Sequence, residues 1–364
     1  MKSTQDDITI YVSSVPLECR PEDRGVANKV AAQYRAFRRR YQGTILIRPR
    51  SASKLGRVVE TLVRGLIAAF SLPRGAVYVR YDSYTALLIL ALGLLGRVTV
   101  AEVNGRLSAE VSGWKRWLQT FFDRLCLPYA ARIVAVAEDV RSYVLEAMAG
   151  VRRKPVVAVI GNAVEVPPHY VPRVPDGNPT LFYVGTFRRA HGLDLLLDAL
   201  STEALRGVRL LLAGAGPEES TIREQVEALG LEKQVTFVGW VNEDELVETL
   251  TTVDLGIGSL AIERAGLRTA ATLKVRSYLA HGLPCIVGYE EDPETMRQPF
   301  VFRVSGDRED VAMQISDALT MCRSCGNELR LEAWRYARDH FSYDVWVSHI
   351  SGLLKRDQAT KVMF

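Results

Sequence analysis

Four turns in the second half of the chain are the places where this sequence could bind and transform a ligand. Each turn follows an apolar run of strand length, and these runs end at Val184, Ala213, Val238 and Gly258. Segments with helical periodicity separate the runs, a pattern typical of βαβ units with a parallel sheet. Ligands of such sheets bind outside the carboxyl ends of the strands. We therefore expect the chemistry of this chain to lie in these turns.

Short motifs exclude several other kinds of chemistry. The chain has no GxSxG, HExxH or GxxxxGK[ST] sequence. Gly214-Ala215-Gly216-Pro217 begins like a dinucleotide fingerprint, but the third glycine is missing and Pro217 more simply starts a helix. Cys322 and Cys325 form a lone CxxC pair without a second pair or a histidine cluster. We expect neither hydride transfer nor a metal site.

The elements that must position these turns form two α/β domains. The chain has 364 residues, enough for two domains, and 48% of them are hydrophobic. Strands are predicted in the first half at residues 8–13, 44–47, 76–80, 98–103, 132–136 and 155–160. Five prolines in Val166–Pro179 predict an extended linker without regular structure. We expect two Rossmann-like, doubly wound domains, residues 1–165 and 180–340, facing each other across a ligand-binding cleft. The chain should be helical after Asp307, and the helix in 341–364 could return to the first domain.

Charge is distributed unevenly between the two halves. Residues 1–165 contain 25 Lys/Arg and 14 Asp/Glu, whereas residues 166–364 contain 21 and 28. A basic half indicates an anionic partner, and no zinc-finger spacing or aromatic-basic pattern indicates nucleic acid. The helix predicted at Trp114–Ala130 combines aromatic and basic residues, as interfacial helices do, although a helix packed on its own domain has the same pattern. An odd number of cysteines (five) and no signal peptide favour the cytoplasm, with peripheral binding to the inner membrane face.

Several sequence segments resemble a known enzyme family. VGTFRRAHG, LLLAGAGP, VTFVGWV and LKVRSYLAHGLP are similar to the C-terminal domain of family 4 glycosyltransferases. VYVRY, VTVAEVNG and VIGNAVEV resemble the N-terminal domain more faintly. The resemblance implies the GT-B fold and a retaining transfer of sugar from a nucleotide-sugar, with UDP or GDP as the nucleotide. It implies no cofactor and no metal. It also implies a lipid-linked or polysaccharide acceptor at the membrane.

The resemblance assigns site residues by position. The turn from Gly185 to Gly192 corresponds to the family's diphosphate-binding turn, with Thr186 and His191 in place of its arginine and lysine, and Arg188 or Arg189 could restore the charge. Thr272 is expected to cap the helix that carries Lys274, so that N–H groups and a cation face the phosphates. The residues implied to bind phosphate are therefore Gly185, Thr186, Arg188, His191 and Lys274. Gly239 and Trp240 would bind the base, while a helix-start role for His191 and a solvated Lys274 remain alternatives.

Two residues depart from the family pattern. The family's paired glutamates, which contact the transferred sugar and the ribose, align with Thr269 and Ser277. Glu263, Glu290 or Glu291 could supply a carboxylate, although an exposed position is the more common fate of such residues. This departure leaves two alternatives: an inactive nucleotide- or glycan-binding relative, and a sugar-nucleotide epimerase.

Acceptor candidates lie in the first domain. Arg80, Glu102 and Asn104 stand at or after predicted strand ends, and Gly25 begins a predicted helix. Glu102 and Asn104 are the candidates for catalysis, with buried structural roles as the alternative.

Overall fold

Two parallel six-stranded sheets organise the computed structural model, which describes residues 7–16, 24–51, 53–72, 75–106, 113–174 and 177–360. One compact unit, unit 1, comprises Met1–Gly161 and Tyr343–Phe364, and the other, unit 2, comprises Asn162–Ser342. The strands are nearly continuous apolar runs because helices cover both faces of a parallel sheet. The predicted α/β class with two doubly wound domains is confirmed.

Unit 1 has the strand order β2-β1-β3-β4-β5-β6, with every pair parallel. Its strands lie within two residues of the predicted ranges. Its elements are β1 (Ile8–Val12), α1 (Arg24–Arg40), β2 (Ile45–Ile47), α2 (Lys54–Ser71), β3 (Ala76–Tyr81), α3 (Ala86–Leu94), β4 (Thr99–Val103), α4 (Trp114–Cys126), β5 (Arg132–Ala135), α5 (Glu138–Ala147) and β6 (Val156–Val159).

Unit 2 has the order β12-β11-β10-β7-β8-β9, again with every pair parallel. Its elements are β7 (Thr180–Val184), α6 (Leu193–Leu200), β8 (Arg209–Ala213), α7 (Glu219–Ala228), β9 (Val235–Gly239), α8 (Glu243–Thr252), β10 (Leu255–Ile257), α9 (Leu273–Ala280), β11 (Cys285–Val287), β12 (Val301–Arg303) and α10 (Arg308–His340).

Helix α10 begins at a capping box and bends at a glycine. The Asp307 side chain accepts a hydrogen bond from the backbone N–H of Asp310, which explains why the chain becomes helical there. Gly326 has φ 53° and ψ −130°, so the helix is interrupted at this residue. The proline-rich segment before β7 has no helix or strand in its described residues. It lies along unit 2, where Pro167 O accepts a hydrogen bond from the Trp334 indole and Val174 N donates to Thr251 O.

The last helix, α11 (Tyr343–Thr360), belongs to unit 1. Trp346 packs against Phe37 of α1, with ring centroids 5.1 Å apart, and against Tyr78 of β3 at 5.7 Å. The chain therefore completes the core of unit 1 with residues from both of its ends.

Candidate functional site

The strand order of unit 2 reverses at the pair β7 and β10. From β7 the chain builds the sheet outwards through β8 and β9, and it then returns to the other side of β7 with β10. The turns that follow these two strands diverge, which opens the crevice where doubly wound sheets bind ligands. The turn after β7 begins at Gly185, and the segment after β10 leads to α9.

Glycines allow the turn after β7 to pack backbone against backbone. A Cβ at Gly214 would lie 2.0 Å from Gly185 O, and one at Gly216 would lie 2.5 Å from both N and O of Phe187. Gly185 has φ +143°, and the Phe187 N–H donates to Ala215 O. The GAGP sequence therefore supports the neighbouring turn, and α7 begins two residues after Pro217.

The His191 side chain contacts the backbone of this turn. Its Nδ1 lies 2.6 Å from Thr186 O, and because a carbonyl only accepts, Nδ1 carries the proton. The Tyr183 hydroxyl is 2.6 Å from the same nitrogen and also donates to Thr186 O. Burial, and next the nearby Lys274 charge, lower the pKa of His191 to about 3. His191 is thus a neutral side chain that shapes the turn at physiological pH, and it does not replace the positive charge of a lysine.

Lys274 supplies a cation beside the same turn. Its Nζ lies 4.2 Å from the centroid of the Tyr183 ring, and a Cβ at Gly185 would be 3.6 Å from it. The Nζ atom is buried and has no hydrogen-bond partner. Burial lowers the pKa of Lys274 to about 7. Gly185, Thr186, His191 and Lys274 are therefore brought together, and an ammonium group lies where an anion would relieve its desolvation.

The predicted side-chain cap of α9 is wrong. Thr272 occupies the N-cap position in extended geometry, but its side chain makes no capping hydrogen bond. Its hydroxyl instead lies 2.8 Å from the Tyr289 hydroxyl, a tertiary contact that the local sequence does not reveal. The Thr272 side chain therefore leaves the N–H groups of the first turn of α9 uncapped.

Thr269 and Ser277 are both half-buried near α9. Thr269 forms an isolated parallel bridge with Glu290, and Ser277 O accepts hydrogen bonds from the backbone and ring of His281. Of the alternative carboxylates, Glu263 is exposed and Glu290 is exposed and paired with Arg303 at 2.9 Å.

Glu291 is buried, so the expected exposed position is wrong for this residue. It is 4% exposed, and its Oε1 accepts hydrogen bonds from Thr272 N and the Tyr289 hydroxyl, both at 3.3 Å. Burial raises the pKa of Glu291 to about 7, although the Arg276 guanidinium, 3.7 Å away, partly opposes the rise.

Sequence reasoning missed Arg276. It is 6% exposed, donates a hydrogen bond to Asn162 O and stacks over the Phe341 ring at 4.2 Å. Asn162 in turn donates from its side chain to Ala271 O at 2.6 Å. Arg276 thus ties α9 to both ends of the unit 2 segment. The sequence signal for Arg276 is its position directly before Ser277, a residue already assigned to the site.

The charge of Arg188, like that of Lys274, lowers the pKa of His191, so it acts on the same turn. Arg188 and Arg189 are exposed and line a cavity of about 330 Å³, whose lining does not include Lys274. Asp194 and Arg264 also line it and form a bidentate ion pair at 2.8 and 2.9 Å.

The candidates for binding the base lie at the end of β9. Gly239 has φ +77°, and its carbonyl accepts a hydrogen bond from Gly214 N. Trp240 follows it and is 42% exposed.

Glu102 and Asn104, two of the acceptor candidates of unit 1, belong to a buried polar network. Glu102 is 1% exposed and accepts from Lys29 Nζ at 2.7 Å and from Gln33 Nε2 at 3.1 Å. Lys29 also donates to Asn104 Oδ1, and Arg80 stands beside Glu102 in the register of β3 and β4. Burial acts to raise the pKa of Glu102, but Lys29 outweighs it and holds the pKa below its usual value.

This network favours a structural role for Glu102. A catalytic base must reach its substrate, whereas this carboxylate is enclosed by Lys29 and Gln33, which lie one turn apart on α1. Gly25, in the first turn of α1, is exposed, and among the described residues no heavy atom outside its own helix lies within 4 Å of a Cβ built there.

The described residues contain neither a cluster of metal-binding side chains nor a membrane-spanning helix. Within these ranges, no three His, Cys, Asp or Glu side chains are grouped as a metal site requires. In the same part of the chain, no helix is both long enough and apolar enough to cross a membrane.

Comparisons with known proteins agree with this architecture. Residues 178–321 match the family model for glycosyl transferases group 1. Sucrose-phosphate synthase from Thermosynechococcus elongatus is similar with a TM-score of 0.74 and 15% identity, over 97% of this chain and 100% of that one. Anabaena Alr3699/HepE in complex with UDP and glucose is similar with a TM-score of 0.67 and 14% identity, over 96% and 99%. No curated protein sequence matches the chain significantly.

A third solved structure is the apo form of the lipopolysaccharide outer core galactosyltransferase WaaB. It is similar with a TM-score of 0.55 and 14% identity, over 90% of this chain and 98% of that one. The matched segment covers the glycine turn, Lys274 and α9, the elements that form the candidate site. The chain therefore has the GT-B fold of these solved structures, and its residues 178–321 are similar to the glycosyl transferases group 1 family.

Proposed function

We propose that this protein transfers a sugar from a UDP- or GDP-sugar to a lipid-linked or polysaccharide acceptor, with retention of configuration and without a metal ion. The buried, unpartnered Nζ of Lys274 beside Gly185 carries the proposal. A diphosphate there would give the ammonium a charge-assisted hydrogen bond, and the N-terminus of α9 adds favourable partial charge. Alr3699/HepE, which shares the fold, has been crystallised with UDP-glucose.

In the proposed reaction, the acceptor hydroxyl oxygen attacks the anomeric carbon as the bond from that carbon to the phosphate oxygen breaks. The bonding electrons leave with the nucleoside diphosphate, and the hydroxyl proton passes to a phosphate oxygen. Lys274 stabilises the charge that develops on the leaving group. Because the phosphate accepts the proton, the substitution of Thr269 and Ser277 for glutamates is compatible with turnover. Correct positioning then supplies much of the rate enhancement.

Nucleotide binding tests the phosphate assignment. We expect Lys274→Met to weaken UDP or GDP binding at least about tenfold, since charge-assisted hydrogen bonds contribute about 1.5–3 kcal/mol. Arg188→Ala should weaken binding less, because Arg188 is exposed. Isothermal titration measures both, with Lys233→Met, at an exposed lysine of the same unit, as the matched control. Unchanged affinity in the Lys274 variant would remove the assignment.

Turnover distinguishes the proposal from its alternatives. A panel of UDP- and GDP-sugars, with and without lipid-linked acceptors and with a chelator present, should give released nucleoside diphosphate. Nucleotide binding without any turnover would indicate an inactive relative. Conversion of the donor to an isomer of equal mass would indicate an epimerase, and activity lost with the chelator would contradict metal independence.

Unit 1 has a surface suited to the cytoplasmic face of an anionic membrane, where we propose that the protein binds peripherally. The neighbouring helices α2, α3 and α4 expose apolar side chains, among them Trp114 at 72%, Trp117 at 71% and Phe70 at 72%. Lys54, Lys115, Arg116 and Arg124 are exposed on the same helices. An apolar surface with basic residues matches the interface of a bilayer that contains acidic lipids. Co-sedimentation with vesicles is the measurement that tests this.

A further inference from the structure

A small cavity in unit 2 lies away from the candidate donor site. It has a volume of about 80 Å³ and is lined by Arg173, Asp254, Cys322, Arg323, Gly326, Asn327 and Arg330. We refer to it as the α10 cavity, since five of these residues belong to that helix at its bend. Roughly 10–15 Å³ of such space suffices for one water molecule, so the cavity has room for a small polyatomic ion.

Two buried guanidinium groups face this space with unused donors. Arg330 is 2% exposed, and its Nη1 and Nη2 donate to Val253 O and Leu250 O at 3.0 and 2.6 Å, but its Nε has no partner. The Nε and Nη2 of Arg173 are also buried without a hydrogen-bond acceptor. Nη2 lies 2.9 Å from Asp254 Oδ1, a contact that is ionic but not in hydrogen-bond geometry. The two Nε donors therefore remain without any partner, which is costly, while Nη2 of Arg173 has only its ionic contact with Asp254.

The charges around the cavity do not balance. Asp254, 3% exposed, is the one acidic side chain in the lining as the structure describes it, and it faces the buried Arg330 and the half-buried Arg173. Burial raises the pKa of the Cys322 thiol to about 12, so this thiol is neutral at physiological pH. Burial lowers the pKa of Arg330, the neighbouring Tyr170 hydroxyl partly opposes this, and the Arg173 charge adds to the lowering. The carbonyls of Leu250 and Val253, near the C-terminus of α8, offset part of the Arg330 charge.

We propose that the α10 cavity binds a small tetrahedral oxyanion, namely phosphate, between Arg173 and Arg330. Planar guanidinium groups suit phosphate oxygens because their N–H donors match the spacing of two oxygens. The bound ion would join the segment before β7, which carries Arg173, to the bend of α10. The cavity volume fits a phosphate group and excludes a nucleotide, so this site is separate from the one proposed for the sugar donor.

Titration with inorganic phosphate on the full chain tests this proposal, with saturating UDP present to block the donor site and with ionic strength held constant by chloride. We expect saturable binding of one phosphate and a rise in melting temperature that depends on phosphate concentration. Arg173→Gln should weaken the binding at least tenfold. Arg335→Gln, at an exposed arginine of α10, should leave it unchanged.

Either of two results with the wild type and the Arg173→Gln variant would overturn the proposal. One is the absence of saturable phosphate binding in the wild-type chain, and the other is equal binding by the Arg173→Gln variant. Cys322→Met provides a second variant, since it fills part of the cavity and leaves both arginines in place. Circular dichroism confirms that each variant is folded, and retained phosphate binding in folded Cys322→Met would also contradict the site. Because UDP is present throughout, failure here leaves the proposed transferase function unaffected.

Discussion

Lys274 and Glu291 show how burial changes the behaviour of individual side chains around α9. The pKa of Lys274 falls to about 7 and that of Glu291 rises to about 7, because burial disfavours the charged form of each. One group is a cation without a hydrogen-bond partner, and the other is held by Arg276. The first favours an anionic ligand, and the second connects Thr272, Tyr289 and Arg276.

Proton uptake should accompany nucleotide binding. Above about pH 7 the free Lys274 is largely neutral, whereas a bound diphosphate favours its charged form. We therefore expect UDP binding at pH 8.5 to take up as much as one proton, and the affinity to fall as the pH rises above 7. Calorimetry in buffers of different ionisation enthalpy measures this uptake. The Lys274→Met variant corrects for the nucleotide's own ionisation, and equal uptake by both proteins would contradict the prediction.

Loss of Arg276 should destabilise unit 2 strongly. In Arg276→Met, the Glu291 carboxylate stays buried without its cation, and breaking a buried pair typically costs about 3–5 kcal/mol. The stability lost in Arg276→Met should be large at pH 8.5 and smaller at pH 5.5, because Glu291, with its raised pKa, is protonated at the lower pH.

Chemical denaturation at the two pH values measures this difference. Arg276→Met combined with Glu291→Gln removes the charge, so it should recover stability at pH 8.5 relative to the single variant. An equal loss of stability at both pH values would show that packing on Phe341 matters more than charge.

At the scale of secondary-structure elements, the two glycine turns act as a unit. The turn after β7 and the GAGP turn after β8 pack through backbone atoms. Phe187 N donates to Ala215 O, and Glu218 N donates to Phe187 O. Side chains larger than hydrogen have no space at Gly214 or Gly216. The position of the candidate phosphate turn therefore depends on its neighbour.

Gly216→Ala should displace the turn after β7. The added Cβ would lie 2.5 Å from Phe187 backbone atoms, which cannot move independently of Gly185 and Thr186. We expect lower thermal stability and weaker UDP binding than in the wild type. Gly352→Ala is the control: it lies in α11 with open space around a new Cβ, so it should stabilise by about 0.5–1 kcal/mol. Unchanged UDP affinity in Gly216→Ala would contradict the coupling of the turns.

For the whole molecule, charge and exposed apolar surface coincide in unit 1. We expect the protein to co-sediment with vesicles that contain acidic lipid at low ionic strength, and to dissociate as salt screens the attraction. At low ionic strength, Trp114→Ser combined with Trp117→Ser should bind these vesicles less than the wild type does. Trp240→Ser, at an exposed tryptophan of unit 2, should not. Sedimentation that is independent of salt and of both tryptophans would refute membrane binding by this surface.

The sequence by itself determined the order of strands and helices, the two-domain α/β class and the turns that bear Gly185 and Gly192. These properties are local: a strand of a parallel sheet is a short apolar run, and turns need glycine or proline wherever they occur. Tertiary structure alone decided that Glu291 is buried, that the Thr272 side chain does not cap α9, and that Lys29 pairs with Glu102, 73 positions away. It also decided that Arg173 and Arg330 enclose one cavity. The physical reason is that burial and ion pairing depend on residues distant in the chain, whose approach has no signature in local periodicity.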